Sequence, residues 1–205
     1  MKKTIFTALI LTSLALAAAA QPLKIGVRAG LNTGSYRFDK FIVGNTSVSP
    51  GSRPAPGYQL ALAMRLSIPH FLQIQPELAY SARNYTYRVV TQGAADNVKV
   101  QNKALEVPLM VGFNIRALRL FGGPVFNLTE KQRIKGNRQG MQFKYDRRDV
   151  ALQFGAGVDI KKLFVDVRYT TAPGGMKTSY TLGENSRTVK SAHDRMWTFS
   201  MGFFF

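Results

Sequence analysis

The chain of 205 residues contains no cysteine. Neither a disulfide nor a thiolate metal site is open to it, and no lipid can be attached to a cysteine behind its first apolar run. Histidine is nearly as scarce, with two in the chain. His70 falls in an expected turn. His193 stands beside Asp194 in a long connection, but neighbours on an extended chain point opposite ways, so adjacency does not make a base and its orienting partner. The acids of the connections are scattered, whereas calcium needs clustered oxygens. Gly122-Gly123 and Gly174-Gly175 lack the lysine of a P-loop. Asn45-Thr46-Ser47 and Asn127-Leu128-Thr129 match the glycosylation sequon, a short and commonly accidental motif. No catalytic residue, metal or cofactor is expected, and the chain reads as a non-enzyme. Beyond its start, no segment reaches about 18 consecutive apolar residues, so no helical membrane span is expected. Mean hydropathy is −0.08. Acids are few as well, 11 against 28 lysines and arginines, giving a formal charge of +17. That surplus calls for an anionic partner or surface, and charge alone does not choose between nucleic acid, phosphorylated lipid and polysaccharide.

The first residues narrow the choice. Met1-Lys2-Lys3 is basic, Thr4 to Leu16 is apolar, and Ala17-Ala18-Ala19-Ala20 supplies small residues before Gln21. This is the pattern of a secretory signal, removed near Ala20. A membrane anchor fits less well, because the run is short and no basic stop follows it. The expected division is 1–20 signal peptide and 21–205 mature domain. Loss of Lys2 and Lys3 lowers the charge from +17 to +15. Export argues against nucleic acid as the partner.

The mature chain repeats with period two. Ile25, Val27, Ala29 and Leu31 alternate with Lys24, Gly26, Arg28 and Gly30. Tyr58, Leu60, Leu62, Met64 and Leu66 alternate with small or polar residues. Period two also runs through Leu72 to Tyr80, Leu105 to Phe113, Leu118 to Leu128, Val150 to Val158, Leu163 to Tyr169, and Trp197 to Phe205, with Phe121 and Phe204 on the opposite faces of their strands. That makes eight candidate strands, each near the roughly 9–11 residues of a tilted membrane-crossing strand. Short connections (Ser67 to His70, around Ile115-Arg116, and Lys161-Lys162) alternate with long ones (Asn32 to Gly57, Ala82 to Lys103, Thr129 to Asp149, and Thr171 to Arg195). An up-and-down barrel with both termini on the short-turn side requires that alternation, with long loops outside the cell and short turns in the periplasm. Aromatics cap the apolar faces at both ends. Tyr58, Tyr80, Phe126, Tyr169 and Trp197 stand at the long-loop ends, and Phe113 and Phe205 at the short-turn ends. Two membrane interfaces call for two such rings.

Alternation does not say which face is inside. A soluble lipocalin-like barrel would turn the apolar face inward around a ligand. A membrane barrel would turn it outward and enclose the polar face. That polar face carries Lys24, Arg28, Arg65, Glu77, Glu106, Arg119, Asp159, Asp166 and Arg168, five basic and four acidic residues. An eight-stranded barrel is just wide enough to be filled by side chains, and buried charges are tolerated when paired. The loop asymmetry and the aromatic ends favour the membrane arrangement, with these nine residues as a lumen charge network. Across the Lys161-Lys162 turn, Asp159 is expected opposite Phe164, Gly157 opposite Asp166, and Gly155 opposite Arg168, so that small residues make room for long ones.

The long connections hold 18 basic and seven acidic residues, +11 in all. The densest block contains Lys131, Arg133, Lys135, Arg138, Lys144, Arg147 and Arg148. Outside the cell these would face the phosphates of outer-membrane lipid and lipopolysaccharide, or act only as solubilising charge. Tyr85-Thr86-Tyr87 and Phe143-Lys144-Tyr145 are expected as strands continuing above the membrane, with a contact surface as the alternative.

Several stretches carry a resemblance: Lys24-Ile25-Gly26-Val27-Arg28-Ala29-Gly30-Leu31-Asn32, Leu105-Glu106-Val107-Pro108-Leu109, Phe121-Gly122-Gly123-Pro124-Val125-Phe126, Phe154-Gly155-Ala156-Gly157-Val158-Asp159, and the terminal Phe205. With the signal, they resemble the small outer-membrane β-barrels of Bacteroidota, labelled porin-family or PorT-like, over essentially the whole mature chain. The resemblance implies an all-β, eight-stranded antiparallel up-and-down transmembrane barrel in the cell outer membrane, and supplies no catalytic residue. By the same resemblance, the row Trp197, Phe199, Met201, Phe203 and Phe205 is an assembly signal read by the barrel-insertion machinery. The expected function is a structural or interaction role in the envelope, with lipid phosphates and secretion-system or envelope proteins as candidate partners. An accessory part of a secretion apparatus and a narrow channel are the alternatives.

Overall fold

A computed structural model describes residues 23–37, 40–43, 46–50, 55–68, 71–91, 94–135, 142–146, 150–172, 176–182 and 185–205. The expected signal segment, His70 and Arg138, Arg147 and Arg148 lie outside the described residues. The strands in chain order are β1 (Leu23–Arg37), β2 (Phe41–Val43), β3 (Thr46–Pro50), β4 (Ala55–Ile68), β5 (Leu72–Thr91), β6 (Ala94–Ile115), β7 (Leu118–Lys135), β8 (Gln142–Asp146), β9 (Val150–Ile160), β10 (Leu163–Thr171), β11 (Met176–Leu182) and β12 (Asn185–Phe204).

Eight of them close a barrel in the order β1-β4-β5-β6-β7-β9-β10-β12, sealed where β12 pairs with β1. Every neighbouring pair is antiparallel, and the closing register runs from Gly26↔Phe204 to Arg37↔His193. At the short-turn rim the seam is tied by Phe205 donating its backbone N–H to the Ile25 carbonyl at 2.9 Å. Closure leaves no barrel edge with unpaired backbone groups, as an apolar surrounding requires. Two of the short turns hold a non-glycine residue in the left-handed region, Arg116 at φ 58° and Lys161 at φ 57°. The turn expected around Ile115-Arg116 is Arg116-Ala117, flanked by the pair Ile115↔Leu118. Across Lys161-Lys162 the register is the expected one: Phe164↔Asp159, Asp166↔Gly157, Arg168↔Gly155.

The barrel is polar within and apolar without, which separates it from a soluble ligand-binding barrel. Leu31 is 68 % exposed and Phe199 55 %, among a belt of exposed leucines, valines and phenylalanines on every barrel strand. The largest fully buried side chains are instead Arg28, Arg65, Arg119 and Arg168. Rings flank the belt at both ends. Tyr58 lies against Tyr80 at 6.3 Å and Tyr169 against Trp197 at 5.0 Å on the long-loop side. On the short-turn side Phe71 stacks on Phe113 at 5.9 Å, and Phe203 meets Phe205 edge-on at 5.9 Å.

The described residues of the long connections are largely strand. The segment expected as a connection from Ala82 to Lys103 continues β5 and β6, which pair as far as Thr91↔Ala94. β6 has 22 residues, about twice what a tilted crossing uses, so this hairpin rises above the belt. Val89, Val98 and Val100 keep its inner face buried, which is why the pairing persists there. β3 adds to β5 and carries β2. On the other side β11 joins β12 to β8, so Tyr85-Thr86-Tyr87 and Phe143-Lys144-Tyr145 both lie in strands. The β9–β10 wall is lower, with 11 and 9 residues.

Candidate functional site: the charged lumen

Period-two strands send one set of side chains inward, and in this chain that set contains four of its 11 acids, Glu77, Glu106, Asp159 and Asp166. Glu77 on β5 sits at the centre. Its carboxylate accepts Arg28 Nη2 from β1 at 2.7 Å and Arg168 Nη2 from β10 at 2.7 Å. It also accepts Arg168 Nη1 at 3.0 Å and Gln75 Nε2 at 2.6 Å. Arg168 reaches Asp166, two residues away on the same face, at 2.7 Å. Asp166 takes Arg119 Nη2 from β7 at 2.6 Å, and Arg119 Nε donates to Asp159 on β9 at 2.7 Å. Asp159 also binds Arg65 of β4 at 2.7 Å, and Arg65 Nε donates to Gln75 Oε1 at 2.7 Å. The contacts therefore close on themselves: Glu77, Arg168, Asp166, Arg119, Asp159, Arg65, Gln75 and back to Glu77. This circuit ties β4, β5, β7, β9 and β10 across the lumen.

A branch climbs toward the long-loop end. Arg28 Nη1 donates to Gln59 Oε1 at 2.9 Å, and Gln59 Nε2 reaches Glu106 Oε2 at 3.4 Å. Glu106 is ion-paired with Arg83 at 2.6 Å. Aromatic rings underlie the guanidiniums. Phe164 stacks on Phe204 at 4.6 Å, and Arg65 lies 4.4 Å over the Phe204 ring. Arg168 and Arg119 lie 5.1 Å and 5.5 Å over Phe121. Such rings hold a cation without adding an acid.

Glycine makes the crowding possible. A Cβ at Gly157 would run into Asp166 Oδ1 and would stand 2.8 Å from Arg119 Nη2. One at Gly202 would enter the Phe164 ring. The room beside Gly155 is taken by the Phe121 ring, and Arg168 lies over that ring.

Of the nine residues expected in the lumen, eight meet in these contacts. Lys24 does not. Its parity is inward, but it lies beside Arg65 at the short-turn rim, where the strand leaves the enclosed space, and its side chain is exposed without an ion pair among the described residues. Arg83, counted among the loop charges by sequence, belongs to the lumen, 4 % exposed. Counting by twos from the inward Glu77, through Ala79 and Ser81, reaches that position. Of the dense basic block, Lys131 and Arg133 are exposed on β7 rather than in a loop. Lys135 ends β7, and Lys144 lies on β8. In the terminal row, Trp197, Phe199, Met201, Phe203 and Phe205 all face outward, while Phe204 faces inward. Among the described residues no group of three or more histidines, aspartates or glutamates is placed to hold a metal ion.

A closed antiparallel barrel with charge-paired interior, apolar exterior and two aromatic rings is an outer-membrane β-barrel. Residues 19–172 match the family described as outer membrane protein beta-barrel domain, and the chain belongs to that family, whose place is the outer membrane. Among solved structures it is similar to outer membrane protein AlkL, studied in lipid bilayers, at 12% identity and TM-score 0.54, covering 91% of this chain and 92% of that one. It is also similar to OprG from Pseudomonas aeruginosa, at 15% identity and TM-score 0.49, covering 91% and 97%. Ail, the attachment invasion locus protein of Yersinia pestis, is similar at 11% identity and TM-score 0.49, covering 90% and 100%. At 12% identity the likeness to AlkL is one of fold. No curated protein matches the chain.

Proposed function

We propose that this barrel is a non-enzymatic structural and interaction protein of the envelope, exported behind a signal removed near Ala20, with its lumen sealed by side chains and its tall strands outside the cell. The observation that carries the reading is the closed circuit through Glu77, Arg168, Asp166, Arg119, Asp159, Arg65 and Gln75, whose members span the lumen at contact distance. An ion passing through would have to part several buried pairs, each costly to break because it leaves an uncompensated charge. Purified protein in planar bilayers is expected to give no stable single-channel steps. Large, stable steps in the unaltered chain would contradict the seal and favour a channel. The secretion-accessory alternative rests on the resemblance to PorT-like barrels alone. Deletion of the gene followed by parallel assays of secretion and detergent sensitivity separates the two, with detergent sensitivity the expected phenotype.

A further inference from the structure

The outer face of the β5–β6–β7 sheet carries cations that no acid offsets among the described residues. β7 contains an irregularity opposite Leu105 and Glu106, which pair with Thr129 and Asn127 and leave Leu128 as the extra residue. Below it the even residues of β7 face outward, as Leu118 and Leu120 do. Above it the odd ones do, so Lys131 and Arg133 are exposed, while Glu130 and Gln132 are half-buried on the other side. A bulge re-aims side chains in just this manner. Without it, Glu130 would face outward and the cations inward.

The register then sets cation against cation. Lys103 pairs with Lys131, Gln101 with Arg133, and Lys99 with Lys135. Like charges directly opposite one another destabilise a sheet. On the adjoining strand the same face offers Asn84, Thr86 and Arg88, none of them acidic, and Gln101 donates to Asn84 at 3.1 Å. Lys99, Lys103, Lys131 and Arg133 make no ion pair among the described residues. The ladder starts directly above the apolar belt. Leu105 is exposed in the row of Tyr80, Lys103 is about 7 Å further along the strand, and Lys99 about 20 Å, at the usual rise per residue. With the strand tilted by about 45°, those rises are about 5 Å and about 14 Å along the membrane normal, the depth of a bilayer's headgroups and the space just above them.

We infer that this ladder is a binding site for the phosphate groups of a phosphorylated glycolipid in the outer leaflet, with Lys103 and Lys131 gripping the phosphate nearest the acyl chains and Lys99 and Arg133 those further out. The inference rests on the reading that the tall strands face outward from the cell. Phosphate oxygens bridging opposed cations convert a repulsive ladder into charge-assisted hydrogen bonds. The row of Tyr80 and Leu105 below supplies apolar surface for the lipid's chains. A free polyanion would need no such apolar floor.

The test places the folded barrel in phosphatidylcholine nanodiscs doped with bisphosphorylated lipid A, dephosphorylated lipid A or phosphatidylglycerol, and measures the lipid retained after detergent exchange by native mass spectrometry. Bisphosphorylated lipid A alone should be retained. The variant Lys99→Gln/Lys103→Gln/Lys131→Gln/Arg133→Gln should retain at least about tenfold less, since each surface cation adds to anionic-lipid binding. Heat-modifiable gel migration reports folding. If the quadruple variant does not fold, Lys131→Gln alone should give a smaller loss. Equal retention by the variant overturns the site, as does equal retention of phosphatidylglycerol or of the dephosphorylated lipid. Because the chain has no cysteine, Lys99→Cys labelled on intact cells by an impermeant maleimide checks the orientation separately. Absence of labelling would sink the outward reading itself, whereas conductance in bilayers bears on the lumen and leaves the ladder untouched.

Discussion

Two sets of cations occupy this barrel under opposite conditions. Inside, Arg28, Arg65, Arg83, Arg119 and Arg168 are fully or nearly fully buried, and Glu77, Glu106, Asp159 and Asp166 meet them at 2.6–2.7 Å. Outside, Lys103 pairs with Lys131, Arg133 with Gln101 and Lys99 with Lys135 and Thr86, with no acid on their face among the described residues. The difference follows from solvation. A buried charge has no water, so it must find its counter-charge in the chain. A charge at the membrane surface can leave that work to water or to a lipid. The lumen charges are therefore part of the fold, and the outer ones are available to a partner. The residue types divide accordingly. The lumen cations are all arginine, whose planar fork can hold two acids at once, as Arg168 and Arg119 do. The ladder is mostly lysine, a hydrated point charge suited to a phosphate at the surface.

Three substitutions probe the contrast. Glu77→Gln should have the largest effect. It removes the one acid that Arg28 and Arg168 share in the lumen contacts and leaves Arg168 with Asp166, and removal of one partner of a buried pair costs about 3–5 kcal/mol. Urea unfolding in lipid vesicles, followed by Trp197 fluorescence, would measure it. Gly157→Ala comes next, because its methyl group parts Arg119 from Asp166; overpacking of this kind costs about 1–3 kcal/mol, read as a lower midpoint in the same titration. Lys131→Gln should be the smallest, within about 0.5 kcal/mol of the parent in phosphatidylcholine vesicles. A loss there as large as that from Glu77→Gln would erase the distinction between the two sets.

Strand positions and the lumen charges follow from elementary constraints. A period of two and a two-residue turn at Lys161-Lys162 leave one register, and Asp166↔Gly157 and Arg168↔Gly155 are its consequences. Lys24 shows where parity stops: it gives the side of the wall but not the height at which the lumen ends. Arg83 shows the converse: its parity is inward, but the apolar alternation that marks its strand stops at Tyr80, so the pattern leaves it in a connection. The extent of β5 and β6 depends on valines packing within the raised sheet, a tertiary effect that adds no new period. The bulge at Leu128 left no local signal either. Asn127-Leu128-Thr129 contains no glycine, and the shift is visible only against β6. The outer ladder depends on that bulge, so the basic residues were legible in the sequence, but their facing one another was not.

A double-mutant cycle on Glu77 and Arg168 asks most directly whether the lumen charges are compensated within the chain. With Glu77→Gln, Arg168→Met and the combined variant unfolded in the same vesicles, the double variant should be less destabilised than the summed singles by at least about 1.5 kcal/mol, as for other close charge pairs. Additivity within about 0.5 kcal/mol, the behaviour of independent sites, would contradict a lumen held together by its own charges.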